Sequence, residues 1–374
     1  MVKKEDCKDM NWTCGVARDY VAETGLLGEG PLVAEEVGDG NLNFVFRVCR
    51  ENDLRRSLIV KQAPPYIKVL GPDYPLTQQR LAVEARAMAI YNELAPGFVP
   101  RTLKFDADAH VILMEDLRGY RILRSALMDG EIEPEVAAAV GTFMGTTHRA
   151  TLAETASAQQ LARYRQDFHN PEMQSITSEY VFTKPFQQDP TNHHTEGLDA
   201  IVADVRSDAA LQAEIQHLRR RFNEAQQGVV HGDLHTGSVM VKGRETRVID
   251  GEFAFYGPIA FDVGALLANY LLAWYAHAEA DRVALLQSIE ASWNAYGLSF
   301  GPSPQLQSIW RESIQFAGVK MLRRILGAAH VEDIESIEDV AERCAVETRA
   351  ITCGRTLVID PPRPEDLPAR LVSA

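Results

Sequence analysis

Three early segments alternate apolar and polar residues at two-residue spacing: "LVAEEVG" from Leu32, "LNFVFRV" from Leu42 and "SLIVKQA" from Ser57. Such alternation, rich in β-branched residues and broken by the turn signal Asp39-Gly40-Asn41, predicts an antiparallel meander. From Pro75 to Pro96 the period changes. "PLTQQRLAVEARAMAIYNELAP" keeps Ala, Leu and Met on one face and closes on a proline, as a helix does. "VPRTLKFDADAHVILMEDL" then reads as two more strands joined by a turn around Asp106 to Ala109. The sum is a small sheet of about five strands carrying one helix.

Beyond Leu117 the pattern is helical. "EPEVAAAVGTFMGTTHRATL" opens with acids and a proline, as helix N-termini do. Thr155 to Thr195 is polar, rich in Gln, Asn and His, and is expected to be irregular in part. "DAIVADVRSDAALQAEIQHLRRRFNEAQ" supplies further helix, a hairpin of two short strands interrupts it between Asp233 and Glu252, and helices return from Phe261 to about Gly327. Within that last region, Ile259–Ala278 is apolar on nearly all sides. Asp262 and Asn269 interrupt it, so a buried helix is expected rather than a membrane span. The fold class expected is α+β, with a β-rich amino-terminal domain over residues 1–116, a connector near Met114–Leu117 and a mostly helical carboxy-terminal domain over 117–374. A chain of 374 residues favours two such domains or lobes.

Charge narrows the partners. The net charge of -14 argues against nucleic acid, whose phosphates need a cationic face, but not against a small phosphate ligand in a locally positive pocket. Five cysteines form an odd count without a CxxC pair, so neither a disulfide framework nor a zinc site is expected. The first residues carry no apolar stretch that could serve as a secretory signal, and a cytoplasmic protein without membrane partners fits.

Three acids stand out in "VVHGDLHTGSVMVKGRETRVIDGEFAFYGP": Asp233 before the predicted hairpin, and Asp250 and Glu252 after it. A hairpin brings its ends together, so these acids are expected to converge. Clustered carboxylates repel unless a cation compensates, and magnesium, which shares its positions with substrate phosphates, suits them. Upstream, "VGDGNLNFVFRV" places Gly38, Gly40, Asn41 and Asn43 in a glycine turn between strands, where exposed amides can cover a triphosphate. Lys61 lies inside an apolar strand and needs a partner; Glu84 on the following helix is the candidate. Each residue has a plainer role open to it, as a turn or cap aspartate, a solvated lysine or a surface glutamate. Their order along the chain favours a phosphoryl-transfer site.

Glycine turn, strand lysine, helix glutamate, connector, aspartate and acid pair follow the layout of protein-kinase-like phosphotransferases, and the seventeen-residue spacing from Asp233 to Asp250 fits it. "HGDLHTGS" resembles the catalytic-loop motif of the aminoglycoside phosphotransferase and choline kinase superfamily, and the similarity is closer still to the 5-methylthioribose kinases. Ser238 stands where most of the superfamily has Asn, and Asp250-x-Glu252 replaces a plain Asp-x-Asp. "GNLNFVFRV", "IVKQAPPYIK", "ILMEDL", "NPEMQSITSEYVFTKPF" and "MLRRILGAAHVEDIESI" are also similar, in the same order over most of the chain.

The resemblance implies a bilobal kinase-like fold, with ATP and Mg2+ as cofactors. Asp233 would be the base for the sugar C1 hydroxyl, and Asp250 and Glu252 the metal ligands. Lys61, paired with Glu84, would contact the α- and β-phosphates, and the Met114–Leu117 backbone, including Glu115 and Leu117, would meet adenine. Arg323 and Arg324 match twin arginines of the substrate site, and Tyr74 lies in a loop near the sugar. It further implies 5-methylthioribose 1-phosphate as product, a place in methionine salvage, and a homodimer. Gly251, where the family tends to have proline, and Tyr74, where it tends to have tryptophan, leave open a same-fold kinase for another 5-modified pentose or small alcohol, aminoglycosides included. A nucleotide-binding pseudokinase is the remaining alternative.

Overall fold

The computed structural model describes residues 12–38 and 40–373, so Asp39 of the predicted glycine turn lies outside the described residues. The chain divides into two compact units. One runs to Gly119 and also takes Asp250–Phe253; the other comprises Tyr120–Ile249 and the chain from Ala254 onward.

The first unit contains α1 (Cys14–Thr24), β1 (Leu32–Glu36), β2 (Phe44–Arg50), β3 (Asp53–Gln62), α2 (Gln79–Leu94), β4 (Thr102–Asp106) and β5 (Val111–Glu115). The five strands form one antiparallel sheet in the order β1-β2-β3-β5-β4. The pleat sorts its side chains. Phe46, Val48, Leu58, Val60, Val111 and Leu113 pack with Ala17 and Val21 of α1, whereas Ala63, Ile112 and Met114 pack with Leu81 and Met88 of α2. The meander and α2 agree with the sequence pattern. α1 escaped it because, of eleven residues, only Ala17 and Val21 are buried, too few to mark a period. Its ends are nonetheless encoded: the Thr13 side chain accepts from the Val16 N–H, and Gly25 closes the helix at φ 68°.

The second unit opens with β6 (Arg121–Ile122), α3 (Leu123–Met128), α4 (Pro134–Thr151), α5 (Ala158–Asp167), α6 (Pro171–Phe182), α7 (Asp199–Ser207) and α8 (Ala209–Glu224). It continues through β7 (Gly228–Val230), β8 (Val239–Lys242), β9 (Glu245–Val248), β10 (Phe255–Gly257), α9 (Ala260–Ala276), α10 (Glu279–Phe300), α11 (Leu306–Leu326), α12 (Glu332–Glu335), α13 (Val340–Ile359) and α14 (Leu367–Ser373). Between Thr155 and Thr195, where irregular chain is expected in part, α5 and α6 account for most of the segment. A capping box between Ser157 and Gln160 starts α5, and Pro171 opens α6. α5 buries none of its residues, so no apolar stripe announced it. The predicted hairpin is β8–β9, with β6 as a third strand on β8; β10 pairs separately with β7.

Glycines let the helices of this unit approach one another. A Cβ on Gly141 of α4 would lie 2.1 Å from the Ser292 carbonyl oxygen of α10, and one on Gly145 would lie 2.5 Å from that of Tyr296. Gly318 of α11 meets Gly354 of α13 in the same way, with 2.6 Å from its built Cβ to the Gly354 oxygen. α9 is buried along almost its whole length, as its all-round apolar sequence requires. Among the described residues, no helix is long and apolar enough to cross a membrane.

Candidate active site

In the first unit, Lys61 on β3 lies in an apolar run, and its ammonium is met by acids. Its Nζ is 2.8 Å from Glu84 Oε1 on α2 and 2.7 Å from Asp250 Oδ1. Burial alone would strip the proton from Lys61, but the charges of Asp250, Glu84 and Glu252 outweigh it and raise its pKa. Glu84 moves the other way from an ordinary ion-paired acid. Burial, reinforced by Glu252 and Asp250, overcomes the pull of Lys61 and raises it to about 7. Asp250 takes a left-handed backbone conformation, φ 64°, unusual for a residue with a side chain and a form of strain concentrated at functional sites. Its side chain is 50% exposed.

Glu252 is buried and held from two sides. Both its carboxylate oxygens lie 2.9 Å from the Asn43 side-chain amide, and Arg80 Nε is 3.2 Å from Oε2. Arg80, fully buried, also donates to Asn43 Oδ1 and to the carbonyls of Leu42, Pro64, Leu76 and Thr77. Asn43 therefore orients an acid and anchors the glycine turn. Two hard carboxylates at alternate positions, one open to solvent and one oriented by partners behind it, are a donor set that fits a magnesium ion.

The other predicted residues of this unit fall around the same sheet. Gly38 has φ 78°, and a Cβ on Gly40 would lie 2.8 Å from the Asn43 carbonyl oxygen, so both turn positions demand glycine. The Asn41 carbonyl accepts from the Val69 N–H, tying the turn to the loop that carries Tyr74, an exposed residue. Glu115 ends β5, where its carboxylate accepts from the Arg101 N–H, and Leu117 is buried beyond it. Between them, the buried carboxylate of Asp116 is gripped by Arg47 and by the Ser57 hydroxyl, which stiffens the connector. Gly251 sits against α2; any Cβ there would come 3.3 Å from that of Ala87.

In the second unit, Asp233 lies on a loop whose backbone is pinned from below. Asp262 of α9 accepts from the His231 N–H through Oδ2 at 2.6 Å and from the Gly232 N–H through Oδ1 at 3.0 Å. His231 Nδ1 accepts from the Asp233 N–H, so its proton is on Nε2, which donates to the Ile249 carbonyl. Ser238 Oγ donates to the Asp233 carbonyl at 2.9 Å. The serine thus closes the loop on itself.

The Asp233 side chain, 29% exposed, contacts Lys320 of α11 through Oδ1 and His235 Nε2 through Oδ2, each at 3.4 Å. Burial opposes its ionisation, but His235, Lys320 and Arg324 outweigh it and hold the carboxyl well below its ordinary range. His235 Nδ1 accepts from the Gly237 N–H at 2.9 Å, and burial lowers its pKa to about 4, so it is a neutral ring with the proton on Nε2. Arg323 and Arg324 follow Lys320 on α11, and burial, with Arg124 of α3 nearby, lowers both. Arg124 Nε is 3.5 Å from Asp333 Oδ2. Neither that nitrogen nor Arg323 Nε makes a hydrogen bond, and Lys320, Arg323 and Arg324 together bring positive charge to bear on Asp233.

Sequence reasoning missed Arg80, Asp116, Arg124 and Lys320 as site components and read Asp262 only as an interruption of an apolar run. Charged residues in runs destined for burial were the available signal, as "FDVGALL" and "GVKMLRR" show.

A family described as phosphotransferase enzymes matches residues 33–298. The chain is 35% identical to a methylthioribose kinase of Geobacillus sp. (strain WCH70) over 353 residues, covering 90% of this chain and 88% of that protein. It is 32% identical to one from Yersinia pseudotuberculosis serotype O:3 (strain YPIII) over 385 residues, covering 95% and 94%. Among solved structures, the amicoumacin kinase hAmiN aligns with a TM-score of 0.54 at 15% identity, over 98% of this chain and 100% of its own. A glucosamine kinase aligns with 0.52 at 14%, over 97% and 85%. At such identities these structures speak for a bilobal α+β kinase-like fold alone.

Proposed function

This chain belongs to the methylthioribose kinase family of phosphotransferase enzymes, and we propose that it transfers the γ-phosphoryl group of ATP to the C1 hydroxyl of 5-methylthioribose. The observation that carries the reading is Asp233, an ionised and partly exposed carboxylate on a pinned loop, with cations gathered beside it. The substrate oxygen forms a bond to the γ-phosphorus, the bond from that phosphorus to ADP breaks, and the hydroxyl proton passes to Asp233. A carboxylate held so acidic is a weak base. Asp233 therefore acts mainly by orienting the hydroxyl and takes the proton late, as fits a transfer dominated by positioning and charge.

Lys61 is assigned to the α- and β-phosphates, steadied by Glu84, and the backbone of Met114–Leu117 to adenine. Asp250 and Glu252 are the residues to hold magnesium, which when bound would neutralise charge on the β- and γ-phosphates. Arg323 and Arg324 stabilise charge developing on the transferred group. The same reading places the protein in methionine salvage in the cytoplasm, as a homodimer.

With ATP, magnesium and methylthioribose the purified protein should release ADP. Asp233→Asn should lower kcat by about 10²- to 10⁴-fold while ATP binding persists. Ribose, 5-deoxyribose and an aminoglycoside serve as further acceptors. Turnover preferring one of these would reassign the substrate, and no sugar-stimulated turnover at all would defeat the kinase reading.

A further inference from the structure

Lys320 lies three and four residues before Arg323 and Arg324 on α11, a spacing that puts all three on one helix face. It is buried, its ammonium is 4.4 Å from the centre of the Phe261 ring, and its neighbours Arg323 and Arg324 repel it. An ammonium in such a place is costly without an acid, and its one salt-bridge partner among the described residues is Asp233 Oδ1. The other oxygen of Asp233 faces the neutral His235. Two different donors therefore take the two oxygens, which fixes the rotation of the carboxyl plane as well as its place.

We propose that Lys320 is a positioning residue for Asp233: its ammonium holds Oδ1 while His235 holds Oδ2, so that the carboxylate is turned toward an incoming hydroxyl. The kinetic part of this inference rests on the kinase reading; the electrostatic part does not. The charged and titratable groups that face the pair are His235 on the loop, Arg323 and Arg324 on α11, Arg124 on α3 and, through the arginines, Asp333 on α12. Burial, with Arg323 and Arg324, brings Lys320 down to about 8 against the pull of Asp233, so the hold weakens on the alkaline side.

The test uses the full chain with 13Cγ-labelled aspartate, the Asp233 resonance being identified by its loss in Asp233→Asn. In Lys320→Met, or Lys320→Gln if circular dichroism shows that the Met variant does not fold, the Asp233 titration midpoint should rise by about one pH unit or more. Lys320→Arg keeps the charge and should keep the midpoint low. In turnover, the Met or Gln variant should lose about 10- to 100-fold in kcat with KM for ATP unchanged, and the acid limb of its kcat profile should move up with the carboxyl. Should the wild type phosphorylate no sugar, the kinase reading falls, and the carboxyl titration alone decides the role of Lys320. A folded neutral variant with an unshifted Asp233 resonance and, where turnover exists, an unshifted acid limb overturns the proposal.

Discussion

Replacing Lys61 by Met removes the ammonium lying between Glu84 and Asp250, and the cost should depend on pH in a calculable way. Asp250 is half exposed, so water replaces most of what it loses, and an exposed pairing is worth at most about 1 kcal/mol. Glu84, with 3% of its side chain exposed, has no such recourse. Burial already raises Glu84 to about 7 in the wild type, against the pull of Lys61. An acid raised above its unfolded value contributes stability that is complete below the unfolded pKa and is lost as pH rises toward the folded one. In the wild type that loss stops near 7, where Lys61 lets Glu84 ionise. In Lys61→Met the folded pKa lies higher, so the loss continues.

The stability gap between the two proteins should therefore be small and level up to about pH 7 and then widen by up to about 1.4 kcal/mol per pH unit, reaching about 2 kcal/mol near pH 8.5. Equilibrium urea unfolding followed by circular dichroism, from about pH 6 to about pH 8.5, measures this gap. Lys61→Met combined with Glu84→Gln should show no widening, because the titrating group is gone. A gap of equal size at both ends of the range would refute the assignment of the cost to Glu84.

Other substitutions probe packing and the loop. Gly141→Ala places a methyl group 2.1 Å from the Ser292 carbonyl oxygen, so α4 and α10 must part; a loss of about 1–3 kcal/mol is expected, read by thermal denaturation. Asp262→Asn turns an amide nitrogen toward the His231 or Gly232 N–H, leaving a buried donor unmet at a cost of about 1–3 kcal/mol. Because that donor belongs to the loop carrying Asp233, kcat should fall while ATP affinity holds; an unchanged kcat in the folded variant would separate Asp262 from the loop's geometry.

Period and turn chemistry were legible without coordinates wherever a segment buries one face. The meander from β1 to β3 and the amphipathic α2 were readable for that reason, and α9 was readable by its run of residues apolar on nearly all sides. α1 and α5 bury too little to leave a stripe and escaped the sequence pattern, although capping residues mark their ends. The "HGDLHTGS" string and Asp250-x-Glu252 were legible as candidates from local motifs, and Lys61 and Glu84 from their order along the chain. What only the tertiary structure decided is which distant groups meet. Arg80 meets both Glu252 and the Asn43 that holds it, Lys320 reaches Asp233 across 87 positions, and Asp262 pins a loop 30 residues before it. Charge and hydrogen bonding act over a few ångströms of space, whereas sequence periodicity reports only a residue's own face. A lysine or aspartate in an apolar run thus announces that it needs a partner, and the fold determines which one it has.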